Sequence, residues 1–151
     1  MAFLVSREGD VRLLTELLSG GASEDWQLGL YNAAIVPAET DTAATYTAHE
    51  ATFGGYARKT LTRSVSATTW NTPVLQAPSG APAWSPRGQV AHAKYGAAPL
   101  SWSVGPAGDT VYGYFIVGAT SGALILAEQF TDPRSLHSGD TLSITPVFEV
   151  A

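Results

Sequence analysis

Apolar residues recur along the chain at two different spacings, and the change from one to the other divides it. Near the N-terminus Leu13, Leu14, Leu17 and Leu18 follow helical spacing, with Asp10 placed to cap the first turn and Gly20-Gly21 to end the last. This pattern predicts one short helix. From Trp26 onward the period is two. Trp26, Leu28 and Leu30 face one way while Gln27, Gly29 and Tyr31 face the other, which predicts a half-buried strand. The alternation returns at Leu100, Trp102 and Val104 against Ser101 and Ser103. It returns again at Leu142, Ile144, Phe148 and Val150 against Thr141, Ser143, Thr145 and Glu149. Residues 110–117 (TVYGYFIV) and 124–130 (LILAEQF) are β-branched and aromatic, and Ser121-Gly122 between them suits a hairpin turn.

The breakers complete the outline. Pro146 falls on the apolar face of the last strand and removes a ladder donor, so that strand is expected at an edge or with a bulge. Residues 73–88 hold Pro73, Pro78, Pro82 and Pro86 and read as an irregular excursion from the sheet. A second long connection, residues 33–53, is rich in Thr and Ala, leads to a Gly54-Gly55-Tyr56 turn, and is a candidate for pairing at a sheet edge. The expected fold is all-β: an antiparallel β-sandwich, jelly-roll-like, with one short N-terminal helix. A single domain spans residues 1–151, with an arm and helix over 1–25 and the sandwich over 26–151.

Composition supports a packed core. Hydrophobic residues make up 45% of the chain and charged residues 14%, far from the regime of disordered sequences. There is no cysteine, so neither disulfides nor thiolate metal sites are available. The N-terminus lacks a basic stretch followed by an apolar one, so no secretory leader is expected. The apolar runs fall well short of the roughly 18 residues that cross a bilayer, so no membrane partner is expected either. A net charge of −5 argues against nucleic acid. That charge is unevenly placed. Residues 1–50 carry eight acids and two bases, residues 51–108 five bases and no acid, and residues 109–151 five acids and one base. Folding can cancel the contrast within one chain, or it can serve charge-complementary contacts between subunits.

Catalytic spacing is missing. His49, His92 and His137 stand far apart, no GxSxG elbow or HExxH motif occurs, and the paired glycines lack phosphate-cradling spacing. His137 with Asp140 imitates a metal pair, but Ser138-Gly139-Asp140 reads more simply as the turn into the last strand. Glu128 and Glu149 are the carboxylates inside predicted strands that a glycosidase-like arrangement would draw on, although strand carboxylates more often face solvent. The expectation is therefore no enzyme, no cofactor, no metal and no small-molecule substrate. Of the tryptophans, Trp26 and Trp102 alternate with polar residues as core positions do, whereas Trp84 lies among prolines and is a contact candidate.

Residues 28–61 (LGLYNAAIVPAETDTAATYTAHEATFGGYARKTL) with Trp70, and TVYGYFIV, AEQF and SGDTLSITPVFEV in the C-terminal half, resemble small structural proteins of tailed bacteriophages, including jelly-roll-type cement proteins. The resemblance implies a virion protein, made in the host cytoplasm, that decorates the capsid surface. It would bind the major capsid protein and its own copies, as a homotrimer, to stabilise the head. A tail, baseplate or fibre component acting as a host-surface or glycan-binding module is the alternative. The interface candidates are Arg58, Lys59 and Arg63 in the basic segment, Trp84 and Arg87 in the proline-rich excursion, and the Pro146 edge.

Overall fold

A computed structural model of the chain describes residues 4–5, 24–64, 66–71, 74–77 and 90–150. The helix expected over residues 10–21 lies outside them. The described residues are mostly strands in antiparallel sheets, as the alternation predicts. β1 (Leu4–Val5), β8 (Leu124–Leu136), β7 (Asp109–Gly118), β2 (Trp26–Tyr31) and β3 (Lys59–Leu61) form a five-stranded sheet in the order β1-β8-β7-β2-β3. β10 (Val147–Val150), β5 (Val90–Lys94) and β4 (Val74–Gln76) form a three-stranded sheet, and β6 (Leu100–Ser103) pairs with β9 (Thr141–Ile144). The sheets do not close on one another through backbone pairing.

The expected hairpin is β7–β8, longer than its sequence signal. Two irregularities adjust it. Ile116 faces Leu126 whereas Val117 faces Leu124, so Ile125 is an extra residue. This bulge lets consecutive Ile125 and Leu126 enter one apolar cluster while Leu124 and Ala127 enter the other. Farther along, Val111 faces Arg134 and Gly113 faces Gln129, leaving residues 130–133 opposite Tyr112 alone. Pro133 sits inside a long strand at the point where the ladder is interrupted, so its missing N–H costs no regular pair.

One face of the large sheet carries Trp26, Leu28, Leu30, Leu61, Tyr114 and Ile116, which pack with Trp102, Leu142 and Ile144 of the two-stranded sheet in a single core cluster. The three-stranded sheet joins through aromatic rings. Trp70 meets Trp26, Tyr95 and Phe148 edge-on, with centroids 6.0, 5.1 and 5.9 Å apart, and Phe148 stacks on Trp26 at 5.4 Å.

The opposite face corrects the expectation of a half-buried β2. Five of its six residues are buried, because the long connection after it folds over the second face. A short helix within that connection, α1 (Ala43–Thr47), places Tyr46 against Tyr31 at 5.1 Å and Phe115 at 5.8 Å, with no solvent access to any of the three. Sequence periodicity did not predict α1, whose five residues AATYT offer a single large apolar position. The end of the connection also pairs at the sheet edge, as anticipated. Tyr31 bridges Glu50, Asn32 N–H donates to His49 O at 2.8 Å, and Ala51 N–H to Leu30 O at 2.9 Å.

Two expectations about proline are refined. Residues 73–88 are not wholly irregular, since the proline-free Val74–Gln76 pairs with β5, Val74 opposite His92 and Gln76 opposite Val90. Pro146 neither bulges nor ends the last strand. It divides it between two sheets, β9 pairing with β6 and β10 with β5, and each half lies at a sheet edge. The buried Pro146 gives its carbonyl to Tyr95 N–H at 3.0 Å.

The second face depends on two glycines. Tyr31 lies opposite Gly113 and Phe115 opposite Gly29, and each ring occupies the space a Cβ on its partner would need. We predict that Gly29→Ala lowers unfolding free energy by about 1–3 kcal/mol through overpacking. Gly113→Ala costs more, because its Cβ would also meet the Glu128 carbonyl, which cannot swing aside. Urea denaturation of both variants measures the difference, and a neutral Gly113→Ala would contradict this packing.

Candidate functional site

The described residues hold an ionic cluster where the long connection returns to the sheet. Glu50 enters it from the bridge to Tyr31, and Arg58 from the approach to β3. Arg58 Nε donates to Glu50 Oε1 and Nη2 to Oε2, both at 2.7 Å, while Tyr56 Oη donates to Oε1 at 2.5 Å. Tyr56 Oη in turn accepts the Leu30 N–H at 3.1 Å, so a phenol completes the β2 edge where β3 has ended. The Arg58 guanidinium also lies 5.3 Å from the Phe115 ring centroid. The Arg58 and Glu50 side chains are 28% and 22% exposed, too sheltered for screening to dissolve the pair.

Burial alone would push the Glu50 carboxyl up, but hydrogen bonds from Arg58 and Tyr56 outweigh it and hold Glu50 below the usual carboxylate range. Tyr56 is pushed up by burial and by its bond to Glu50. Both groups are thereby fixed in their neutral-pH forms, a carboxylate and a phenol, with no tendency to exchange protons near pH 7. Such an arrangement orders backbone rather than performing acid–base chemistry.

Other carboxylates serve the backbone in the same way. Asp109 accepts Thr52 N–H at 2.9 Å and Asn32 Nδ2 at 3.2 Å through one oxygen, and Thr110 N–H at 2.8 Å through the other. Glu24 holds the β7–β8 turn through Thr120 N–H, Ser121 N–H and Ser121 Oγ at 2.7–2.8 Å. Asp41 accepts Tyr46 Oη at 2.6 Å and Ala38 N–H at 2.9 Å, anchoring α1. Asp140 accepts His137 N–H at 2.7 Å in the turn before β9, where Gly139 takes a positive φ of 90°. Its contact with His137 Nδ1 is 3.6 Å on an exposed surface, which is turn geometry. Among the described residues no three His, Asp or Glu side chains stand together as a metal site.

Glu128 differs. It faces Tyr114 across β7 and β8 and accepts its hydroxyl. Burial raises the Glu128 carboxyl and outweighs that hydrogen bond. Glu149, its suggested companion, lies in β10 of another sheet.

The interface candidates fare differently. Lys59 lies 5.4 Å from the Trp102 ring centroid and Arg63 5.0 Å from that of Trp26, so with Arg58 these three interface candidates cover rings of their own chain. Arg58 with Glu50 also joins the basic middle of the sequence to its acidic first third within one molecule. Pro146 is buried between β9 and β10. Trp84 and Arg87 lie outside the described residues. Trp26, Trp70 and Trp102 are buried, and Trp102 Nε1 donates to Ala57 O at 2.7 Å. An open groove of about 520 Å3 runs between residues 133–136 of β8 and 141–143 of β9, lined by Arg134, Ser135, Leu136, Asp140 and Leu142 among others. Sequence reasoning missed both this groove and the Glu50–Tyr56–Arg58 cluster. The spacing of Glu50, Tyr56 and Arg58 carries no motif, and the only signal was that acid and base sit on either side of the Gly54-Gly55 turn. No protein-family model and no curated protein sequence matches the chain.

The two glutamates should give opposite pH responses. Glu50, lowered in the folded state, contributes stability that is present above its ordinary value of 4.5 and is lost as pH falls through the lowered one. Glu128, raised in the folded state, costs stability as pH rises from 4.5 through its raised value. Thermal melts between pH 3 and 7 should therefore show a shallower acid loss for Glu50→Gln, and a gain at neutral pH for Glu128→Gln. Arg58→Ala strands the Glu50 carboxylate and should cost about 1–3 kcal/mol at pH 7.

Proposed function

We propose that this protein is a structural component of a bacteriophage virion, a capsid decoration or cement protein that binds the major capsid protein and its own copies, as a homotrimer, to stabilise the head. The observation that supports this reading best is the number of sheet edges left open. β3, β4, β10 and both strands of the two-stranded sheet each have one side without a paired strand among the described residues. Open edges and exposed turns suit contact with other protein surfaces. Glu24, Asp41, Asp109 and Asp140 are occupied in holding backbone. Grouping the small sheets over one face of the large one favours a jelly-roll-like sandwich, and the resemblance of the closing strands to cement proteins points the same way.

A cement protein works by mass action. Each copy contributes a modest interface that exists only in the assembled shell, so many copies together shift the balance from dissociated parts to the intact head. No catalysis, cofactor, nucleic acid or small molecule enters. The tail or fibre reading, with glycan binding, would need exposed aromatic platforms, and the three tryptophans among the described residues are buried.

Electron microscopy of the purified particle tests the assignment. Hundreds of copies on the capsid surface are expected, with capsids lacking the protein rupturing at lower temperature and regaining resistance when it is added back. A few copies at the tail tip, or unchanged rupture on its removal, would reject the cement role.

A further inference from the structure

We propose that residues 33–48, the loop laid over the second face of the large sheet, form a lid that opens as one piece about a fixed neck and bares the Tyr31–Phe115 surface while the sheets stay paired.

The segment has the form of an Ω-loop, sixteen residues whose ends lie side by side. Its neck is held from the sheet. Tyr31 bridges Glu50, Asn32 N–H donates to His49 O at 2.8 Å, and Ala51 N–H donates to Leu30 O at 2.9 Å. One oxygen of Asp109, the first residue of β7, clasps both sides at once. It accepts Asn32 Nδ2 at 3.2 Å before the loop and Thr52 N–H at 2.9 Å after it. Glu50, paired with Arg58, fixes the returning side a second time. Both ends of the loop are anchored at one place, which is what a hinge requires.

The loop is also braced within itself. Asp41 Oδ2 accepts Ala38 N–H at 2.9 Å and Tyr46 Oη at 2.6 Å, and Asp41 N–H donates to Ala38 O at 3.0 Å. In α1, Thr45 N–H donates to Thr42 O at 3.1 Å and Ala48 N–H to Ala44 O at 3.2 Å. These bonds join the loop to itself and not to the sheet, so they survive when it lifts.

The latch is a single side chain. Of residues 33–48 only Tyr46 is buried, its ring 5.1 Å from Tyr31 and 5.8 Å from Phe115, whereas Val36 is 74% exposed. Ile35 and Ala43 add partly buried contacts to the same cluster, and Tyr31 Oη donates to Ile35 O at 3.4 Å, a long bond. A segment with one buried anchor belongs to the low end of local stabilities. β2 and β7, paired over six residues and largely buried on both faces, belong to the high end. Because Asp41 ties Tyr46 to Ala38, the ring and the loop leave together.

Tyrosine nitration reads this opening in the unmodified full-length chain. Tyr31 and Tyr46 have no exposed surface, Tyr114 is 4% exposed and Tyr95 8%. Reactivity set by the closed structure would rank Tyr31 and Tyr46 last. Lid opening reverses that order. With limiting tetranitromethane, in the absence of denaturant, peptide mapping should find Tyr31 and Tyr46 nitrated ahead of Tyr95 and Tyr114. If they react no faster than those two, the lid opens only with the whole fold and the proposal is wrong. It is equally wrong if Tyr46 reacts while Tyr31 stays protected, since the ring then leaves alone. Tyr46→Ala removes the latch and should raise Tyr31 nitration about tenfold or more, with Tyr95 and Tyr114 unchanged. No rise at Tyr31, or an equal rise at all three, overturns the separation of lid from sheets.

Discussion

Gly29 and Gly113 lie on the same face of neighbouring strands, each beneath the ring of a residue on the other, Phe115 and Tyr31. That arrangement gives β2 and β7 a second apolar face, and an apolar face must be covered or the sheet is left with a large hydrophobic patch in water. Much of the remaining structure follows from this need. The connection after β2 cannot be a tight turn; it has to cross the sheet, carry Tyr46 over the two rings, and return to the β2 edge at Glu50. Asp41, Asp109 and the Glu50–Arg58 pair hold it there.

The same demand explains where the carboxylates go. A connection that folds over a sheet leaves backbone N–H groups without ladder partners, and a carboxylate that accepts from them fixes the path of the chain. Asp41 and Asp109 supply acceptors to the connection at Ala38 and Thr52, and Asp109 and Glu24 do the same elsewhere at Thr110 and at Thr120 and Ser121 of the β7–β8 turn. Glu24, Asp41, Asp109 and Asp140 thus act as acceptors for loop and turn backbone. Arg58, Lys59 and Arg63 of the middle segment lie over Phe115, Trp102 and Trp26, where the guanidinium and ammonium groups meet aromatic faces.

Alternation of apolar and polar residues was enough, by itself, to locate β2, β6 and the strand pieces around Pro146 and to place Trp26 and Trp102 in the core, while β-branched and aromatic runs about a Ser-Gly turn located the β7–β8 hairpin. Side chains of a strand point to opposite faces whatever the fold, so a one-dimensional pattern suffices. The Ser121-Gly122 and Ser138-Gly139 turns were equally legible, because a positive φ at Gly122 and Gly139 is a local requirement. Tertiary structure alone decided which faces were covered. β2 reads as half-buried because nothing in its own six residues records that a segment two turns later folds over Tyr31. Pro146 signals an interruption, yet whether the strand bends, bulges or changes sheet depends on which neighbours offer ladder partners, here β6 before it and β5 after. The Glu50–Tyr56–Arg58 cluster was out of reach for the same reason: its members are brought together by the return of a long connection to a sheet edge, a distance in space that no spacing along the chain encodes.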